Sequence, residues 1–222
     1  AEVVAILPDG IRVRGPKGEV EGFIFYRGVG RFDLPINLKA EGGGLVLSNA
    51  GKEKIPFAFV YEKRAAFPHG VVWWSGSLAA GGRERVPLLA SFGNIAADPV
   101  MTRAFPQALI AAGLNRDEAA AMLATWRESY FERPGLRVFW IVPRAFTDAI
   151  LPLKLTPAPE KLERVLVGRS EVLTPQFEAD LARDFTADGG KRWEQDRYFR
   201  AYRERTRQLG GVVDVAPAPS RP

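Results

Sequence analysis

The sequence predicts an α+β protein: an N-terminal antiparallel β-sandwich-like domain, a mixed α+β domain after it, and a basic helix near the C-terminus. Three observations lead there. Residues 20–89 fall into short runs of branched and aromatic side chains separated by Gly, Pro, Asn and charged clusters, as strands and turns require. After Asn94 the apolar spacing becomes helical. The positive charge gathers at one end: residues 191–209, KRWEQDRYFRAYRERTRQL, hold seven Lys or Arg against three acids, an excess of four within a net charge of +5. The expected divisions are 1–93 for the sandwich-like domain, 94–188 for the α+β domain, 189–210 for the basic amphipathic helix and 211–222 for an extended, proline-rich tail.

Strands are expected at 20–26, 34–38, 45–47, 55–61, 71–74 and 86–89. In residues 55–61, IPFAFVY, the larger groups at 55, 57, 59 and 61 alternate with others, so one face meets a core with a period of two. Pro35 and Pro56 sit near strand starts, where a missing N–H breaks no ladder bond. Gly42-Gly43-Gly44 and Asn49-Ala50-Gly51 are turn signals, because glycine and asparagine accept positive φ.

Asp98-Pro99 reads as an N-cap with proline at the first helical position, and Pro106 should break or restart that helix. Asn115 caps a helix over 116–131, with Glu118 three residues on in the reciprocal capping position and Ala119, Met122, Leu123, Trp126 and Tyr130 on one side. Pro134-Gly135 ends it. Residues 136–142 form a near-continuous apolar run of strand length, expected of a central strand covered on both faces. Further strands are expected at 153–155 and 164–167, with Val172-Leu173 as a candidate continuation of the second. Thr174-Pro175 then opens a helix to about Phe185. In the basic segment Tyr198, Tyr202, Thr206 and Leu209 line one helical face while arginines spread over the rest.

Three stretches in combination resemble a family of uncharacterised exported proteins of Gram-negative bacteria: FIFYRGVG at 23–30 with Phe32, EAAAMLATWRESYF at 118–131, and RVFWIVPR at 137–144 continuing through Thr147-Asp148, Leu151-Pro152-Leu153 and RVLVGR at 164–169 to Leu173-Thr174-Pro175. The resemblance covers most of residues 20–180. It implies no activity and no catalytic residue; it implies an envelope location and one working unit built from these blocks.

Composition narrows the chemistry. One histidine and no cysteine in 222 residues remove the side chains that supply most acid–base, nucleophilic and transition-metal chemistry near neutral pH. His69, in the tight-turn signature Phe67-Pro68-His69-Gly70, cannot complete a zinc site, and no calcium loop is present in the sequence, so no metal and no cofactor are expected. The start Ala1-Glu2-Val3-Val4 fits a mature product after leader removal, and the lack of cysteine fits an oxidising compartment, so an exported, periplasmic or extracellular location is expected. No apolar run approaches the roughly 20 residues that span a bilayer.

The remaining motifs favour structure. The Tyr26-Arg27-Gly28-Val29-Gly30-Arg31 turn lacks the Gly-Lys-Ser/Thr of a phosphate loop and reads as a bulge or hairpin bend. Glu118 and Glu128 flank Trp126 on one helix and are the candidate pair for acid–base work, against helix-capping and solvated roles. Arg144 and Asp148 can pair across one helical turn, and Arg164, Arg169 and Glu171 read as salt-linked strand residues. Trp73 and Trp74 must point to opposite faces of a strand, leaving one ring for a domain contact, a subunit contact or a sugar.

The resulting expectation is a non-enzymatic structural or adaptor subunit of a bacterial envelope or extracellular assembly. Its partner-binding residues would be Trp73, Trp74, Trp193, Arg197, Arg200, Tyr202 and Arg203, since aromatic and arginine side chains are favoured at interfaces. Another protein subunit is the expected partner, with a glycan next, peripheral membrane contact open, and nucleic acid disfavoured for want of a motif. The alternatives are a carboxylate-dependent glycan hydrolase or lyase, which requires a cleft with converging carboxylates, and a carbohydrate-binding module, which requires an open aromatic shelf.

Overall fold

The computed structural model describes residues 13–14, 18, 20–21, 32–88 and 95–210. The expected strand at 20–26 beyond Glu21, the glycine turn at 26–31 and the tail at 211–222 lie outside the described residues. The class is α+β, as the residue patterns predict. Contacts divide the chain into two compact units, Ala1–Glu171 and Val172–Pro222.

In the first unit a short antiparallel pair, β1 (Val13–Arg14) and β2 (Val20–Glu21), precedes two larger sheets. β3 (Ile36–Glu41), β4 (Gly44–Asn49) and β7 (Arg83–Pro87) form an antiparallel sheet in the order β3-β4-β7. Its first hairpin pairs Glu41 with Gly44 around Gly42-Gly43, both at positive φ (54° and 71°), the two-residue turn whose twist matches the strands. The second sheet has the order β10-β9-β5-β6-β8, from β5 (Ile55–Arg64), β6 (Phe67–Leu78), β8 (Ile95–Ala96), β9 (Gly135–Val142) and β10 (Leu166–Val172).

That order moves the expected boundary. β5 pairs with β9 from Ala58↔Trp140 to Lys63↔Gly135, so one sheet joins residues on both sides of position 94. The break between compact units falls instead at 171/172. Two strand expectations also change. Residues 67–70 are the first residues of β6 and not a turn; the turn is at Ala65-Ala66, and Gly70 takes φ 77° where the β5–β6 register slips. Residues 153–155 belong to no strand, because Pro152, Pro157 and Pro159 cannot donate to a ladder.

Helices cover one face of the five-stranded sheet. α1 (Ala97–Pro99), a π-helical stretch (Val100–Ala104) and α2 (Phe105–Ala111) run as one helix, and α3 (Arg116–Arg127) continues into a second π stretch (Glu128–Glu132). The first π stretch explains why Pro106 does not end the helix: the wider register just before it absorbs the missing N–H and the ring's clash with the preceding turn. Asn115 and Glu118 form the expected reciprocal cap, with bonds of 2.8 and 2.7 Å. Phe59, Tyr61, Phe139 and Ile141 of the sheet pack on Phe105, Leu109 and Phe131 of the helices. Phe59 and Phe139 stack at 5.0 Å, and Phe59 meets Phe105 edge-on at 5.1 Å. Ala58, Val60, Val138 and Trp140 are buried as well, so β5 and β9 are covered on both faces, more than the alternation at 55–61 implies.

The second unit has its own core. Thr174 caps α5 (Pro175–Asp188) by accepting from the Phe177 N–H at 3.2 Å, and Leu181 and Phe185 pack against Tyr202 of α6 (Phe199–Gln208). The helix expected over 189–210 is shorter than its pattern. Gly189 and Gly190 sit at φ 74° and 75°, Lys191–Trp193 is a single 3₁₀ turn, and the Asp196 carboxylate accepts from the Tyr198 N–H at 2.8 Å, which holds the chain out of the α-helix until Phe199.

Candidate functional site

The Glu171 carboxylate is matched with two cations. Arg137 lies within the apolar strand β9 and is 1% exposed. Its guanidinium donates to the carbonyls of Tyr130, Arg133 and Pro134, each at 2.8 Å, and to Glu171 Oε2 at 3.2 Å. The other Glu171 oxygen accepts from Arg169 Nε at 2.6 Å, and Arg169 also donates to the Ser129 carbonyl. Arg137 therefore closes the C-terminal end of the α3 and π helix, where carbonyls have no intrahelical partner, and Glu171 holds both arginines. The sequence identifies the Arg169–Glu171 link and misses Arg137, whose only signal is a charge inside a strand-length apolar run.

Glu118 and Glu128 do not converge. Both are exposed, and ten residues of helix put them about 15 Å apart along the axis, beyond the roughly 5–9.5 Å that glycosidic acid–base pairs need. Trp126 stacks on Tyr130 at 5.4 Å. His69 is exposed on β6, and no group of three or more potential metal ligands occurs among the described residues.

Trp73 and Trp74 are both half-buried. The register slips between Val60↔Trp74 and Tyr61↔Val72, leaving Trp73 as the extra residue of a β-bulge, so strict alternation does not govern the pair. Trp73 donates Nε1–H to Glu62 at 2.9 Å and meets Phe67 edge-on. In the second unit, Trp193 donates to Asp184 at 3.0 Å and packs edge-on against Phe177 and Tyr202. Tyr202, 7% exposed, is a core residue of that unit, and Trp193 packs beside it. Arg197 and Arg200 are exposed, and Arg203 is half-buried.

A different surface stands out in the first unit. Residues 152–163 are all exposed and carry Leu153, Leu155 and Leu162 at 46%, 45% and 36% exposure. This irregular stretch follows α4 (Arg144–Ile150) and is tied at its base. Asp148 accepts from Arg144 Nε at 2.7 Å and from Arg164 at 2.8 Å; Arg164 also donates to the Leu151 carbonyl at 2.6 Å, and Arg144 to that of Leu162 at 3.1 Å. The expected Arg144–Asp148 pair is thus one part of a clamp across both legs of a loop. The hydrogen bond from Arg144, against some desolvation and with the charges of both arginines, holds the Asp148 carboxyl below its usual range. Beside the clamp, Phe57, Ala108, Ala112, Ile141 and Val165 line an apolar groove of ≈ 280 Å³. The three prolines of the loop are the sequence signal that could have identified it.

No helix among the described residues is long and apolar enough to cross a membrane. No protein-family model, curated protein or solved structure matches the chain.

Proposed function

We propose that this chain is a non-enzymatic structural or adaptor subunit of a bacterial envelope or extracellular assembly, and that it grips a partner protein through the loop at 152–163. The observation that carries the reading is the arginine clamp beneath exposed leucines. A loop of this length without secondary structure is uncommon in a compact domain and is usually functional or disordered; four hydrogen bonds from two arginines restrain this one. Fully burying one leucine side chain contributes about 1.5–3 kcal/mol, so three leucines left 36–46% exposed keep part of that energy for a contact elsewhere. Glu171, a carboxylate only 13% exposed, is engaged by two arginines, an arrangement that builds the fold rather than a reacting centre.

The test is site-specific photo-crosslinking in cells that express the protein natively, with the probe at Leu153 or Leu155 and, as control, at exposed Lys52. The reading expects one discrete protein adduct at 153 and 155 and none at 52. Equal labelling at all three positions, or a chain that purifies alone and degrades a glycan, overturns it.

A further inference from the structure

Carboxylate partners are distributed unevenly in the second unit. Arg183 pairs with Asp180 at 3.0 Å, Arg192 with Asp184 at 3.1 Å, Arg205 with Glu178 at 2.6 Å, and Arg207 with Glu204 at 2.5 Å. Arg197, Arg200 and Arg203 have no carboxylate within 4.0 Å among the described residues. They recur every third residue: Arg200 and Arg203 lie on the first two turns of α6, where side chains three apart are neighbours about 5–6 Å apart, and Arg197 lies in the turn just before the helix. Glu178, Asp180, Asp184 and Glu204 are taken by the other arginines, which leaves Arg197, Arg200 and Arg203 as a stripe without ion pairs among the described residues.

Two of the three are also held in place. The Arg197 guanidinium lies 5.4 Å from the centre of the Tyr198 ring, and that of Arg203 lies 5.8 Å from the centre of Phe199. Those rings pack in turn against Leu181, Phe185 and Tyr202. A planar guanidinium laid on a fixed ring loses less freedom when it pairs, and it presents a fork that suits a carboxylate.

We infer that Arg197, Arg200 and Arg203 form a docking stripe for an acidic protein segment with carboxylates on successive helical turns. Side chains three and four apart on a helix repeat at about the same 5–6 Å, which places one carboxylate opposite each arginine. The surroundings disfavour the polyanions. Single-stranded nucleic acid needs open aromatic faces for its bases, and here Tyr202 and Trp193 are packed inside while Arg197 and Arg203 cover Tyr198 and Phe199. A lipid surface needs an apolar stripe beside the charge, and α6 turns its own stripe, Tyr202 and Thr206, into the protein. The inference rests on the adaptor reading in taking the partner to be a protein, and it concerns a surface separate from the leucine loop.

The test is fluorescence anisotropy with the full chain and three labelled probes: a helical peptide with Glu on successive turns, a single-stranded oligonucleotide of matched charge, and vesicles containing anionic phospholipid. The expected result is saturable peptide binding that weakens with added salt. It should fall about tenfold or more in Arg200→Glu/Arg203→Glu and stay within about twofold in Arg183→Gln, whose guanidinium is already paired. Arg183 and Arg200 are exposed and Arg203 is half-buried, and circular dichroism verifies folding. No peptide binding, binding indifferent to the double charge reversal, or tighter binding of oligonucleotide or vesicles overturns the inference. A chain that still crosslinks through Leu153 yet ignores the peptide loses this inference alone; loss of the crosslink with peptide binding intact removes only the loop reading.

Discussion

Arg137 and Glu171 meet at 3.2 Å with side chains only 1% and 13% exposed, and the arginine spends its other bonds on three carbonyls at the end of a helix. The pair therefore joins β9, β10 and the C-terminal end of the π stretch after α3. Lysine at 137 offers a point charge without a fork and cannot serve a carboxylate and three carbonyls together. Arg137→Lys should cost about 3 kcal/mol or more, as breaking a buried ionic group does. Glu171→Gln should also destabilise, with a coupling of about 1 kcal/mol or more between the two. Urea unfolding with an unchanged m-value measures both; a loss under about 0.5 kcal/mol, typical of a surface change, would contradict the assignment.

Tyr61 donates its hydroxyl to the Phe131 carbonyl at 2.7 Å, and burial pushes its phenol up from 10.0 to about 12. Between those values the folded chain keeps a proton that the unfolded chain has lost. The contribution is thus fully present below pH 10 and lost as pH rises through about 12. Tyr61→Phe orphans a buried carbonyl and should cost about 1–3 kcal/mol at neutral pH. The gap between the two proteins should then narrow through the alkaline window. Parallel stability profiles from neutral pH to pH 12 would refute the raised phenol.

The elements legible in the sequence are those whose instructions are local. Asn115 and Glu118 carry a cap within four residues, Gly42-Gly43 carry a hairpin, and the apolar run at 136–142 carries an interior strand. What escapes depends on partners far along the chain. Phe67-Pro68-His69-Gly70 has turn chemistry, but pairing with β5 draws it into a strand with Gly70 as its irregular point. The expected boundary at 93 fails because β9 returns some eighty residues later to pair with β5. For the candidate surfaces, the arginines of α6 are visible in the sequence, but which of them lack acids is decided by Glu178 of α5 together with Glu204 of α6 itself. The leucine loop is hidden by its own alternation, which imitates a strand.

Gly168 illustrates a close approach no pattern reveals. A Cβ there would overlap the indole of Trp140, a ring 1% exposed whose Nε1–H has no hydrogen-bond partner. Gly168→Ala should destabilise by about 1–3 kcal/mol, the usual cost of overpacking, and shift tryptophan emission. Adding Trp140→Phe, which shortens the ring, should recover part of the loss. If Gly168→Ala alone unfolds at the unaltered midpoint, the indole does not lie against β10.

The clamp beneath the leucine loop makes a local prediction. Asp148 offers two oxygens to two guanidinium groups; Asn offers one oxygen and turns an amide donor toward the other cation. Asp148→Asn should therefore speed amide exchange across 152–163 and leave the global unfolding midpoint essentially unchanged, as for other surface positions. Acid should do the same to the unaltered protein. Because Arg144 and Arg164 depress the carboxyl, the clamp is complete at neutral pH and persists below the ordinary carboxylate range. It is lost as pH falls through the lowered value. Exchange followed by mass spectrometry should show the two proteins differing at pH 7 and converging in acid, after correction for intrinsic rates. A loop equally protected in Asp148→Asn at neutral pH would mean that Arg144 and Arg164 hold it through the Leu162 and Leu151 carbonyls alone.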